Sequence, residues 1–226
     1  MEQAFASWSG GKDCCIACYL ASTGGLNIRY LLNMVTEDGK ASWSHGMAAQ
    51  WLDMQSKAIG IPLLQKRTTQ ADYESTFKRT MVDFKKEGLT AGVFGDIDFN
   101  AHKEWIDRVC AAGGITPHLP LWEMNQNKIL KDFVELGFET IVVSTNPELM
   151  DDSWLGRKID RRFISDIGKL KNVTPCGESG EYHTLVIDGP IFKKRLEVIK
   201  SNKVLRDKRW FYEITECELK PKRKKS

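Results

Sequence analysis

Apolar and polar positions alternate along the chain in two distinct textures. Residues 3–8 (Q-A-F-A-S-W) read as a short buried strand, followed by the turn residues S-G-G-K-D and an apolar helix through Ser22. The rhythm then repeats. Ile28 to Val35 is a strand that is apolar apart from Arg29 and Asn33, and Met47, Trp51, Met54 and Ala58 fall at helical spacing until Gly60-Ile61-Pro62 stops the helix. Strand-like Leu63 to Lys66, a helix from about Gln70 to Lys86, a strand Ala91 to Gly95 and a helix Lys103 to Ala112 complete the series. Strands alternating with helices of this length require crossovers, which predicts an α/β, Rossmann-like parallel sheet covered on both faces.

The second half departs from this rhythm. A helix Lys128 to Leu136 and a strand Phe138 to Ser144 are followed, after Trp154, by a glycine-rich segment from Pro175 to Thr184. Leu185 to Ile187, Lys193 to Ile199 and Lys208 to Glu216 then read as β-rich. The pattern predicts a smaller α+β domain, with boundaries at 1–122, 123–219 and a basic tail at 220–226.

Composition narrows the class. With 42% hydrophobic and 28% charged residues in 226, the balance is that of a globular protein, and no apolar run approaches the roughly 20 residues a membrane helix needs. The opening Met-Glu-Gln-Ala carries no basic and apolar leader pattern, so the expectation is a cytoplasmic protein. The net charge of +3 comes from the end of the chain. Residues 220–226 hold five of the 33 Lys and Arg, which leaves 28 positive against 30 negative charges, or −2, in the body. That argues against nucleic acid as the main partner. The tail itself reads as a solvated end or as a contact to RNA or an acidic partner.

The sharpest chemical feature is Ser9-Gly10-Gly11-Lys12-Asp13-Cys14, set between a strand and a helix N-terminus. Unpaired N–H groups and the helix dipole favour an anion there, the glycines let backbone approach it, and Lys12 and Ser9 add a mobile charge and a hydroxyl donor. A tight turn with a charged cap is the plainer reading. Asp96, after the strand ending at Gly95, is either a ligand-facing carboxylate or a cap for the segment starting near Phe99. Glu178 and Glu181, three apart among Gly177 and Gly180, either face one cleft or form an exposed acidic turn. Ser44, His45 and Gly46 precede a helix and read as substrate contacts or as a capping serine and a surface histidine. Trp154 and Arg157 either close a site or leave Arg157 to pair with an acid such as Asp160. Cys14, Cys15 and Cys18 suggest a metal, although an all-apolar helix favours packing.

The segment S-G-G-K-D-C resembles the signature of the PP-loop ATP pyrophosphatases. Together with G-D-I at Gly95 to Ile97, D-S-W-L-G-R at Asp152 to Arg157, P-C-G-E-S-G-E-Y-H-T at Pro175 to Thr184 and D-G-P at Asp188 to Pro190, it resembles the diphthine–ammonia ligase family from about Ala4 to Phe192. The resemblance implies a PP-loop domain of the adenine nucleotide alpha hydrolase type and an ATP-dependent, AMP-forming amide ligase. It implies ATP contacts at Ser9, Gly10, Gly11, Lys12, Asp13, Cys14 and Met34, with Mg²⁺ on Asp13 and Asp96. Lys12, Asp13, Asp96, Glu178 and Glu181 would carry the chemistry. Ser44, His45, Gly46, Trp154, Arg157, Gly177, Gly180, His183 and Thr184 would meet the substrates. The implied partners are ammonium and a carboxylate acceptor, with the diphthine residue of elongation factor 2 as its best-known form and a homodimer as a possible assembly. Signatures of this type usually end in Ser or Thr where this chain has Cys14. RNA modification by a PP-loop ATPase and a non-catalytic nucleotide-binding module are the competing classes.

Overall fold

A computed structural model describes residues 1–43 and 46–222 and divides the chain into two compact units. The first comprises residues 1–9 and 13–123, and the second residues 10–12 and 124–226.

The first unit's strands are β1 (Gln3–Ser7), β2 (Asn27–Val35), β3 (Leu63–Arg67), β4 (Ala91–Val93) and β5 (Thr116–His118). Its helices are α1 (Lys12–Thr23), α2 (Ala49–Ile59), α3 (Tyr73–Lys86) and α4 (Asn100–Gly113). All strand pairings are parallel, in the order β3-β2-β1-β4-β5. Central β1 has Ala4, Phe5 and Ala6 all buried, as a strand covered on both faces must. Phe5 points into the layer built by Phe77, Met81 and Phe84 of α3 and Ile106, Val109 and Cys110 of α4. The chain runs outward from β1 through β2 to β3, then crosses to β4 and β5. The strand order therefore reverses between β1 and β4, and the segments leaving those two strands frame the crevice where open α/β sheets take ligands.

The second unit holds α5 (Gln126–Glu135), β6 (Glu139–Thr145), a 3₁₀ turn (Asp152–Trp154), α6 (Arg161–Ile167), β7 (Tyr182–Asp188), β8 (Lys194–Arg206) and β9 (Arg209–Pro221). Its four-stranded sheet runs β7-β6-β9-β8 and is antiparallel throughout. This is the α/β sheet and the α+β region expected from the sequence.

Several elements differ from their sequence reading. β5 has three residues and contains Pro117, too short for any periodicity to register. The seven-residue α6 is dominated by Arg161, Arg162 and Asp166, and it starts because Asp160 accepts a hydrogen bond from the Phe163 N–H at 2.8 Å. β8 and β9 are 13 residues each. Their turn uses Asp207 and Lys208, both at positive φ (50° and 58°), without the Asn-Gly signal that usually marks such a hairpin. β9 includes Lys220 and Pro221, residues read as the start of the tail.

Candidate functional site

In the first unit, Ser9 follows β1 and Asp13 and Cys14 lie in the first turn of α1. Ser9 Oγ donates to Cys14 Sγ at 3.5 Å. Burial pushes the Cys14 thiol up, but the hydrogen bonds from Cys15 and Ser9 outweigh it and hold the group below its ordinary range. Cys15 and Cys18 are fully buried, and burial raises both, Cys18 to about 12. These two thiols are packing groups. Among the described residues no three His, Cys, Asp or Glu side chains gather as a metal-binding group.

Gly95 sets the other side of the crevice. A β-carbon there would lie 2.8 Å from the Asp13 carbonyl carbon and 2.8 Å from the Cys14 nitrogen, so only glycine lets this segment rest on the start of α1. Asp96 follows directly. It caps no helix, because Phe99 holds the cap position of α4 and makes no side-chain bond there; Asp96 Oδ1 instead lies 3.0 Å from His102 Nδ1. Carboxylates are the hard oxygen donors that magnesium takes together with substrate phosphates, and Asp13 and Asp96 stand on the two segments that leave β1 and β4. Met34 packs in the core, and its carbonyl accepts from the Trp43 N–H at 3.0 Å. Ser44 and His45 lie outside the described residues. Gly46 is exposed, and the cap position of α2 belongs to Ala48 without a side-chain bond.

In the second unit, Gly10, Gly11 and Lys12 are held by β7 and the segment before it. The Gly10 carbonyl accepts from the Val186 N–H at 3.0 Å, and the Lys12 N–H donates to Thr184 Oγ1 at 3.0 Å. The Lys12 side chain is held in place, not the mobile charge its sequence position suggests. It is 3% exposed, its Nζ donates to the Cys176 carbonyl, and that ammonium lies 5.1 Å from the centre of the Tyr182 ring. Cys176 is fixed in turn by Gln126, whose Oε1 accepts from the Cys176 N–H at 2.9 Å.

The glycine-rich segment is a built turn. Gly177 stands at φ 75°, and a β-carbon there would meet the Tyr182 ring and carbonyl at 2.9 Å. Glu181 is 1% exposed and its Oε1 accepts from the Thr174 N–H at 2.6 Å. Its Oε2 is buried with no hydrogen-bond partner. Glu178 is only half-buried, and its N–H donates to Thr174 Oγ1 at 2.8 Å. The two residues therefore differ in burial, Glu181 lying inside the turn and Glu178 half-buried. Arg209 braces the turn by donating to the Gly180 carbonyl at 2.8 Å and to Ser144 Oγ at 2.7 Å. Arg157 does not pair with Asp160, which is occupied as the cap of α6. It pairs with Asp166 at 2.7 Å and lies 4.3 Å over the Trp154 ring. His183 pairs across the sheet with Ser144.

Sequence reasoning did not single out Thr174, Cys176, Tyr182, Gln126, Arg209 or His102. Tyr182 and Cys176 lie inside the segment Pro175 to Thr184, but they act through a ring face and a carbonyl, which residue type does not announce. Arg209 reaches Gly180 and Ser144 from a hairpin 29 and 65 residues further along the chain.

Comparison with known proteins follows the same division. The family model for the diphthamide synthase N-terminal domain matches residues 2–117, and that for the diphthamide synthase C-terminal domain matches residues 125–220. The chain is 24% identical to the diphthine–ammonia ligase of Bos taurus over 222 residues, covering 87% of this chain and 82% of that protein. The Homo sapiens diphthine–ammonia ligase is also 24% identical, over 87% of this chain and 83% of its own length. The Schizosaccharomyces pombe enzyme is 26% identical over 83% of this chain but only 34% of its own length. Among solved structures, a predicted subunit of tRNA methyltransferase from Methanocaldococcus jannaschii aligns at a TM-score of 0.47 and 14% identity, over 84% of this chain and 98% of that one. Matched from residue 2 to residue 220 by two models that divide it as its own folding does, the chain belongs to the diphthamide synthase family.

Proposed function

We propose that this protein is an ATP-dependent carboxylate–ammonia ligase that forms AMP, acting on a diphthine-type acceptor. The observation that supports this most is the seating of Gly10 and Lys12 on Thr184, Val186 and Cys176, because it joins the phosphate-type loop to the glycine-rich segment peculiar to the family. The relatives named above are diphthine–ammonia ligases.

A carboxylate does not react with ammonia at neutral pH, since its leaving group would be oxide. In the proposed reaction an acceptor carboxylate oxygen attacks the α-phosphorus of ATP, the bond to the β-phosphate breaks and pyrophosphate leaves. Ammonia then attacks the acyl carbon, AMP leaves and the amide remains, with the surplus proton passing to a base. Lys12 and the N–H groups at the start of α1 offset charge where the phosphates separate. Asp13 and Asp96 would hold Mg²⁺, whose charge would serve the same end. Glu178 and Glu181 act later, on the acceptor or on ammonium. No helix among the described residues is long and apolar enough to cross a membrane.

The test supplies purified protein with ATP, ¹⁵N-ammonium and diphthine-bearing elongation factor 2. AMP and pyrophosphate should accumulate, and the acceptor should gain one ¹⁵N-amide by mass. ADP and inorganic phosphate as products, or an unchanged acceptor, would refute the assignment. Lys12→Ala should reduce turnover by at least a hundredfold, because it removes charge that the transition state needs.

A further inference from the structure

β8 ends the second unit's sheet, with β9 on one side and, among the described residues, no strand on the other. Beyond a bulge around Ile199 and Lys200, its last residues, Ser201 to Arg206, pair without a break against Ile214 to Arg209. The turn closing this hairpin has two residues, Asp207 and Lys208, so Arg206 and Arg209 form a hydrogen-bonded pair and the pattern alternates back along the strand. Val204 and Asn202 therefore bond to β9, while Ser201, Lys203 and Leu205 turn their N–H and carbonyl groups to the outer edge. Among the described residues, no backbone bond from 201–206 reaches anything but β9.

The side chains along this edge are cationic. Residues 193–209 hold eight Lys and Arg against Glu197 and Asp207. Lys203 pairs with Asp152 at 3.3 Å and Arg206 with Glu213 at 3.5 Å, but the four side chains are 41–53% exposed. Such pairs contribute little and exchange readily for another carboxylate. Apolar surface accompanies the charge: Ile199 is 43% exposed and Leu205, opposite Trp210, is 53% exposed.

An open strand edge is matched by an extended polypeptide, which supplies alternating donors and acceptors at the strand repeat as nucleic acid does not. Edge lysines discourage pairing with a second copy, because β8 against β8 would bring Lys200, Lys203 and Arg206 of both chains together. The same charges favour a strand rich in carboxylates. We propose that the outer edge of β8 from Ser201 to Arg206 docks an extended acidic segment of a partner protein as an added antiparallel strand. Its backbone would bond to Ser201, Lys203 and Leu205, and its carboxylates would meet Lys203, Arg206 and Lys208. The inference goes beyond the ligase reading and is tested without nucleotide or acceptor, so either can fail alone.

The probe is a capped octapeptide of alternating Glu and Thr, titrated into the ¹⁵N-labelled full chain. It should shift the amide signals of Lys203 and Leu205 saturably and slow their hydrogen exchange. The same peptide N-methylated at its two central residues keeps the charge but loses N–H groups in either register, and should bind about tenfold more weakly. Leu205→Pro removes one outward N–H without touching the bonds to β9, and should weaken binding about tenfold. Lys203→Glu with Arg206→Glu should weaken it about as much through charge, and thermal melts show that both variants fold. Absence of saturable binding, equal binding of the N-methylated peptide, or tighter binding of an oligouridylate at these residues would each overturn the proposal. So would a dimer of the full chain that Leu205→Pro dissociates, since a second copy would then occupy the edge.

Discussion

The backbone N–H of Lys12 donates to the hydroxyl of Thr184 at 3.0 Å, joining residues 172 positions apart in the chain. Both residues are almost fully buried, so the bond is shielded from water. Thr184→Val keeps the shape and removes the acceptor. It should cost about 1–3 kcal/mol of stability and weaken ATP binding, whereas Thr184→Ser should retain both. Chemical denaturation and nucleotide titration on the two variants check this.

Gly95→Ala should damage function beyond its size. The added carbon would press on main-chain atoms of Asp13 and Cys14, which cannot rotate away as a side-chain tip can. A loss of about 1–3 kcal/mol is expected from overpacking, together with a marked fall in pyrophosphate release as the start of α1 shifts. Wild-type turnover in Gly95→Ala would show that the crevice tolerates the displacement.

Glu178→Ala and Glu181→Ala should leave ATP affinity nearly unchanged and lower amide formation severely, but they should differ in stability. Glu181 holds the Thr174 N–H in a buried turn, so Glu181→Ala should cost about 1–3 kcal/mol while Glu181→Gln, which keeps an acceptor, costs less. Glu178→Ala should melt like the parent. Calorimetry for ATP, mass spectrometry for amidation and thermal melts separate the three quantities.

The buried thiols predict an alkaline limit. Cys18 and Cys110 are both raised from 9.0 to about 12, chiefly by burial, so each stays neutral in the native state at pH values where the unfolded chain ionises. Their contribution is complete below pH 9 and is lost as pH rises toward 12, at about 1.4 kcal/mol per unit for each thiol. Cys14 has the opposite sign, being depressed, so its contribution is lost as pH falls. Denaturation between pH 9 and 11 should show a slope reduced in Cys18→Ala and Cys110→Ala. Cys14→Ser should retain turnover.

The alternation of strands and helices made the parallel sheet legible, because Ala4 to Ala6 and the apolar faces of α2 and α3 follow the periods that burial demands. β5 and α6 were not legible, since three residues and seven residues give no stable period. Residue type placed Lys12 beside a phosphate-type turn but not against the Tyr182 ring, since the partner lies far along the chain and recognition runs through a ring face and a carbonyl. The difference in burial between Glu178 and Glu181 was hidden for a related reason: spacing of three among glycines does not set burial, and the Thr174 N–H holds Glu181.

The seating of Gly10 and Lys12 has a consequence for the order in which the protein is made. Their partners Cys176, Thr184 and Val186 leave the ribosome more than 160 residues later. At translation rates of about 5–20 residues per second, these loop residues wait roughly ten seconds or more before their native contacts exist. A nascent chain stalled before Cys176 carries the nucleotide-type signature without the bonds that shape it, so the signature acquires its final form only once Val186 has been made.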